Sequence, residues 1–352
     1  MTVEKEKIRV LIADDSFLIR KIVAEMLSES EHIEIVGEAH DGLQALEKSQ
    51  ILLPDVITMD YNMPVMNGAE AVKTIMAKIH PAPSIIMVSA NTTAGAEETF
   101  RCLNLGAIDF VAKPSGEVSL DISKLREELV IKIEVAYEVR KKKIGSKKPY
   151  DRVHERHDFG ARDFELIVIG ASPGGPPAIE EILTALPADF CAPVLIVQHM
   201  PKEFTKSFAD RLDKISRIRV KEAEEGDEIL AGRCLIAPGD WHMTVKAIGA
   251  RKIVALDQGA SMNGFRPSID RTMISAAEVY GQKIVGVILT GMGYDGANGL
   301  LAIKQAGGIT FAQDPETAVV GSMPSAAIEK KCVDKIFTLK HIAAEISACR
   351  TE

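Results

Sequence analysis

The 352-residue chain lacks the cysteine pattern of a stapled or zinc-bound protein. Its five cysteines, Cys102, Cys191, Cys234, Cys332 and Cys349, are scattered, odd in number and without C-x-x-C spacing. Reduced thiols in a cytoplasm fit that usage, and a zinc site does not. No apolar run approaches the roughly 20 residues of a membrane helix, so no membrane insertion is expected. An excess of positive charge is also missing. The formal net charge is -8, which argues against wholesale binding to nucleic-acid phosphates. The start, Met1-Thr2-Val3-Glu4-Lys5-Glu6-Lys7, is charged and leads straight into a strand pattern, unlike a signal peptide. What remains is a 46% apolar composition with ample core and a length that suggests about two domains.

In the first third, apolar runs alternate with helical stretches. Ile8–Ala13 ends in Asp14-Asp15, Val56–Met59 in Asp60, Ser84–Val88 in Ser89, and Ala107–Ala112 in Lys113-Pro114. Ile33–Gly37 is a further strand pattern. Such alternation predicts a parallel sheet with helices on both faces, and polar residues gather at strand carboxyl ends, where ligands bind in such sheets. Asp14, Asp15 and Asp60 would repel one another without a cation, and hard oxygen ligands suit Mg²⁺. Asp60 has the chemistry to accept a phosphoryl group, with Lys113 and Ser89 contacting its oxygens. Taken singly, each aspartate reads as a solvated loop residue; the set at successive strand ends does not.

Asp14-Asp15-Ser16, Met59-Asp60-Tyr61-Asn62-Met63-Pro64, Ser89-Ala90 and Val111-Ala112-Lys113-Pro114 resemble a two-component receiver domain. The resemblance implies a flavodoxin-like fold and Mg²⁺-dependent phosphorylation of Asp60 by a histidine kinase. It also implies switching through Ser89 and an aromatic at Phe110. Asn67 stands before Gly68 where that family often has Asp, and Asn tolerates the same turn geometry.

The basic stretch Arg140–Lys143, with Lys147-Lys148-Pro149 and the polar run to Arg162, reads as an exposed tether. No helix-turn-helix pattern follows it, so a DNA-binding output is not indicated. The expected division is a receiver over 1–125, a linker over 126–163 and a second domain over 164–350.

That second domain opens on Gly170-Ala171-Ser172-Pro173-Gly174-Gly175, after the buried-strand pattern Phe164–Ile169. Strand, tight glycine turn and helix are the setting of a G-x-S-x-G nucleophile elbow. A plain turn with a serine cap competes with that reading. A dinucleotide loop is disfavoured, because Ser172 replaces the central glycine and no acidic residue ends the next strand. Further strand patterns end in Gln198-His199, in Asp240-Trp241-His242, in Gly291–Gly296 and in Gln313-Asp314. A second doubly wound, Rossmann-like parallel sheet follows from them. A nucleophilic serine needs a base, and the base an orienting acid. His199 and His242 compete as base, and Asp295, Asp240 and Asp314 as acid; spacing alone does not choose. Pro173 has no N–H to give an oxyanion hole. The Gly291-Met292-Gly293 loop is the alternative, through the Met292 N–H.

Gly170–Gly175, Gln198-His199-Met200-Pro201, Ala237-Pro238-Gly239-Asp240, Arg266-Pro267-Ser268-Ile269-Asp270 and Leu289–Gly296 resemble the chemotaxis protein-glutamate methylesterases, the CheB family. Receiver, linker and esterase stand in that family's order. The resemblance implies the triad Ser172, His199, Asp295 with Met292 as oxyanion donor, and no cofactor for the ester chemistry. It implies hydrolysis of glutamyl methyl esters, and deamidation of certain glutamines, on methyl-accepting chemoreceptors. A chemotaxis histidine kinase would be the phosphodonor, and an unphosphorylated receiver would hold the esterase off. Pro173 and Pro176 depart from the threonines frequent there, and Trp241 follows Asp240. Two rival readings are a non-catalytic receiver-linked signalling adaptor and a receiver-gated esterase for another, small ester.

Overall fold

The computed structural model describes residues 7–90, 92–113, 120–145 and 164–348. The chain divides into two compact units, Met1–Lys148 and Pro149–Glu352.

The first unit alternates strand and helix. Its elements are β1 (Ile8–Ala13), α1 (Phe17–Ser28), β2 (Ile33–Ala39), α2 (Gly42–Leu52), β3 (Val56–Met59), α3 (Gly68–Lys78), β4 (Ser84–Ser89), α4 (Thr93–Asn104), β5 (Asp109–Ala112) and α5 (Leu120–Gly145). The strands pair in parallel in the order β2-β1-β3-β4-β5. β3 and β4 are buried along their whole length, as apolar runs covered on both faces must be. Helix starts follow local chemistry. Ser16, Asp41 and Thr92 cap α1, α2 and α4 by accepting from backbone N–H groups. Asn67 builds a capping box with Glu70 at the start of α3, in extended backbone, so its role is a helix cap and not a turn.

α5 corrects the expected linker boundary at 126. Leu129, Ile133, Ala136 and Val139 recur at helical spacing and are buried. Ser84 Oγ donates to Ala136 O at 2.7 Å, and Arg140 of the basic run pairs with Asp55 at 2.6 Å. The stripe is one residue wide per turn amid charges, so the charge pattern masks it in the sequence. Pro114, Cys349 and residues 146–163 of the expected tether lie outside the described residues.

The second unit begins with β6 (Leu166–Ala171), α6 (Gly175–Ala185), β7 (Val194–Gln198), α7 (Lys202–Ile215), β8 (Arg219–Glu222) and β9 (Arg233–Ile236). A hairpin follows, β10 (His242–Ile248) and β11 (Arg251–Asp257). Then come α8 (Ile269–Tyr280), β12 (Ile284–Ile288), α9 (Ala297–Gln305), β13 (Ile309–Gln313), α10 (Ser322–Glu329), β14 (Lys335–Phe337) and α11 (Leu339–Ser347). Seven parallel strands run in the order β14-β13-β12-β6-β7-β9-β8. The chain moves one way from β6 through β7 and returns on the other side with β12. The β6–β12 junction is therefore a topological switch point, where a crevice opens beyond the strand ends. The antiparallel hairpin β10–β11 stands outside the parallel sheet; the sequence pattern does not show it and reads His242 as lying past the end of the preceding strand, whereas His242 opens β10.

Candidate active site and phosphoryl-acceptor site

Ser172 follows β6 directly. Gly174, at φ +77, turns the chain into α6, a backbone conformation that a side chain at that position would strain. A Cβ on Gly175 would overlap Gln198 Oε1, so glycine there lets β7's last residue reach under the turn. The Gln198 amide donates to Ser172 O at 3.0 Å and to His199 O at 3.1 Å, tying the serine turn to the histidine turn.

Three of the sequence candidates meet at the switch point. Ser172 Oγ lies 3.1 Å from His199 Nδ1, and His199 Nε2 lies 2.9 Å from Asp295 Oδ2. With Nε2–H donating to the carboxylate, Nδ1 carries the lone pair that accepts the serine hydroxyl. All three side chains are nearly closed to solvent. Asp295 sits on the N-terminus of α8. It accepts from Ile269 N at 2.8 Å, Asp270 N at 3.1 Å and Ser268 Oγ at 3.0 Å. Burial pushes its carboxyl up. The hydrogen bond and charge of His199 and the α8 amides outweigh that and hold it below the usual carboxylate range.

Met292 follows Gly291 at the mouth of this group. Gly291 N donates to Val320 O at 2.9 Å, and a Cβ on Gly291 would lie 3.0 Å from Ser172 Cβ. The loop backbone therefore lies against the serine. Among the described residues the Met292 N–H makes no hydrogen bond.

The rivals are placed elsewhere. His242 is buried in β10 and its Nε2 is engaged with Ala260 O at 3.0 Å. Asp240 pairs with the Arg266 guanidinium, and Asp314 accepts from Glu316 N at 3.0 Å in its own turn.

Several site residues carry no reading of their own in the sequence. Gln198, Asn263, Phe265 and Ser268 are among them, as is Asp270. Asp270 accepts from Gly296 N, Gly299 N and Asn298 Nδ2, at 2.7 to 2.9 Å. Burial raises its carboxyl, and the neighbouring Asp295 charge adds to the rise. Only the Asn263-Gly264 dipeptide has a local signature, that of a tight hairpin turn.

At the receiver sheet's carboxyl edge, Lys113 Nζ lies 2.8 Å from Asp14 Oδ2 and 2.9 Å from Asp60 Oδ1. Oxygens of Asp14, Asp15 and Asp60 fall within 4.8 Å of one another. Burial raises the Asp60 carboxyl, opposed by the Lys113 charge. This all-oxygen donor set, with its mutual repulsion, fits a hard divalent cation. The Ser89 hydroxyl donates to Gly95 O at 2.9 Å. Phe110 is buried in β5, with Lys132 Nζ 5.3 Å from its ring centre.

Fold and site together define a response regulator whose output unit carries a Ser–His–Asp constellation. The family model of the CheB methylesterase matches residues 167–346, and that of the response regulator receiver domain matches 10–123. The chain belongs to the CheB methylesterase family. A protein-glutamate methylesterase/protein-glutamine glutaminase of Pyrococcus abyssi is 43% identical, covering 97% of this chain and 93% of its own. One from Symbiobacterium thermophilum is 44% identical over 97% and 96%. The crystal structure of the Thermotoga maritima CheB methylesterase catalytic domain superposes with a TM-score of 0.52 at 43% identity. It covers 53% of this chain and 98% of that one.

Proposed function

We propose that the chain is a phosphorylation-regulated esterase that hydrolyses glutamyl methyl esters, and deamidates glutamines, on chemoreceptors during chemotactic adaptation. The observation that carries this reading is the Ser172–His199–Asp295 chain of contacts at the switch point of a CheB-type unit. Ser172 Oγ attacks the ester carbonyl as His199 Nδ1 takes its proton. Asp295 holds Nε2–H and so keeps Nδ1 the basic nitrogen. The Met292 N–H faces the developing oxyanion, the role that Pro173 cannot fill. His199 then protonates departing methanol, or ammonia from a glutamine, and water clears the acyl-enzyme by the same route. No cofactor enters that chemistry.

In the receiver, Asp14, Asp15 and Asp60 would hold Mg²⁺, which neutralises phosphoryl oxygens when bound. Asp60 is the phosphoryl acceptor, Lys113 and Ser89 contact the phosphoryl oxygens, and Phe110 is the switching aromatic. A chemotaxis histidine kinase in the cytoplasm is the phosphodonor. No helix among the described residues is long and apolar enough to cross a membrane.

The test is methanol release from membranes bearing methylated receptor. Ser172→Ala should abolish it and leave phosphorylation of Asp60 intact. Substantial turnover by Ser172→Ala would eliminate the covalent route. Receptor binding without turnover by the parent chain would favour the adaptor reading.

A further inference from the structure

The base of the proposed triad has a neighbour that the Ser–His–Asp scheme does not use. The Phe265 ring lies flat on the His199 imidazole, with ring centres 3.8 Å apart and planes 7° from parallel. Its position is fixed from both sides. Met262 N donates to Phe265 O at 3.0 Å and Phe265 N to Met262 O at 2.9 Å. Between them Asn263 (φ +55) and Gly264 (φ +83) form the two-residue turn with both residues left-handed that Asn-Gly favours. The Asn263 amide reaches Asp270 Oδ2 at 3.2 Å, which anchors the turn tip on the buried carboxylate beside Asp295. On the other side Arg266 is held by Asp240, Gln258 O and Gly259 O.

We infer that Phe265 is a positioning residue for the esterase, stacked on His199 so that the imidazole keeps its two-sided hydrogen bonding and the imidazolium formed during turnover meets an aromatic face. This rests on the reading of Ser172, His199 and Asp295 as catalytic. The physical basis is twofold. A parallel ring at 3.8 Å blocks rotation of the imidazole away from the line joining Ser172 to Asp295. An aromatic face also attracts a cation within about 6 Å of its centre. The imidazole gains a proton, and with it positive charge, as Ser172 attacks, so the attraction strengthens along the reaction and lowers the barrier.

The experiment compares Phe265→Leu and Phe265→Tyr with the parent full-length chain, all treated with a small phosphodonor. Methanol release from methylated receptor membranes gives kcat and KM, normalised to sites titrated by a serine-directed fluorophosphonate. Phe265→Leu keeps an apolar cover but removes the ring face. It should lower kcat per titrated site by about three- to thirtyfold, the range of a partly to fully desolvated cation–ring contact, with KM little changed. Phe265→Tyr restores the face and should stay within about twofold of the parent, since the ring quadrupole is retained. Equal rates for Phe265→Leu and the parent would overturn the inference. So would equal losses in both variants, or a loss confined to KM or to the number of titrated sites. Ser172→Ala runs alongside: its full activity would remove the underlying triad, whereas an inactive Ser172→Ala with an unaffected Phe265→Leu removes only the role of Phe265.

Discussion

Asp295 and Asp270 sit beside each other at the starts of α8 and α9, and the structure moves their carboxyls in opposite directions. Asp295 is lowered by His199 and the α8 amides against the pull of burial, while burial keeps Asp270 raised. Replacing Asp295 with Asn leaves the shape but turns an amide toward His199 Nε2, which favours the wrong tautomer. A fall in kcat of about 10³ to 10⁴ is expected from receptor-methanol kinetics, and a loss below tenfold would reject Asp295 as the orienting acid. The same group makes a pH statement. A carboxyl held low in the folded chain adds stability that is complete above its unfolded value and disappears as pH falls through the folded one. The parent's advantage over Asp295→Asn in urea midpoint should hold steady from about pH 5 to 7 and shrink below about pH 4. A gap that widens on acidification would contradict the sign.

At the scale of elements, the start of α8 does two jobs with one residue. Ser268 Oγ accepts from Arg271 N as the helix cap and donates to Asp295 Oδ1 at 3.0 Å. Removing the hydroxyl uncaps the helix and strips a buried carboxylate of one donor. Ser268→Ala should cost about 1 to 3 kcal/mol in urea unfolding of the second unit. It should also slow turnover less than Asp295→Asn, because Ile269 N and Asp270 N still hold the carboxylate. A variant as stable as the parent would show that water replaces the hydroxyl at no cost.

For the whole molecule, two compact units each carry their own parallel sheet, so the phosphoryl-acceptor and esterase functions are expected to separate. The segment Pro149–Glu352 is expected to fold alone, since it contains its sheet and core entire. Under phosphorylation control it should release methanol faster than the unphosphorylated full chain and ignore phosphodonor. If about 1% of the unphosphorylated chain is competent, the gain is at most about a hundredfold. A folded segment no faster than the unphosphorylated chain would make the receiver an activator or docking module. Asp60→Asn in the full chain should retain the basal rate and lose both phosphoryl uptake and the response to phosphodonor. Stoichiometric labelling of that variant would place the acceptor elsewhere.

The sequence by itself determined the two parallel-sheet units, because apolar runs that must be buried on both faces are local and contiguous. It also determined which polar residues stand at strand ends: Asp14, Asp60 and Lys113 in one unit, Ser172, His199 and Asp295 in the other. Only the tertiary structure decided which of them meet. Strand order brings β12 beside β6, which selects Asp295 over Asp240 and Asp314, and β7 beside β6, which selects His199 over His242. α5 escaped the charge pattern because a narrow apolar stripe becomes a core face only where a sheet receives it. The contacts of Phe265 with His199 and of Gln198 with Ser172 were illegible for the same reason. They are made by one ring face or one amide across long sequence separations, and no periodicity records such a contact.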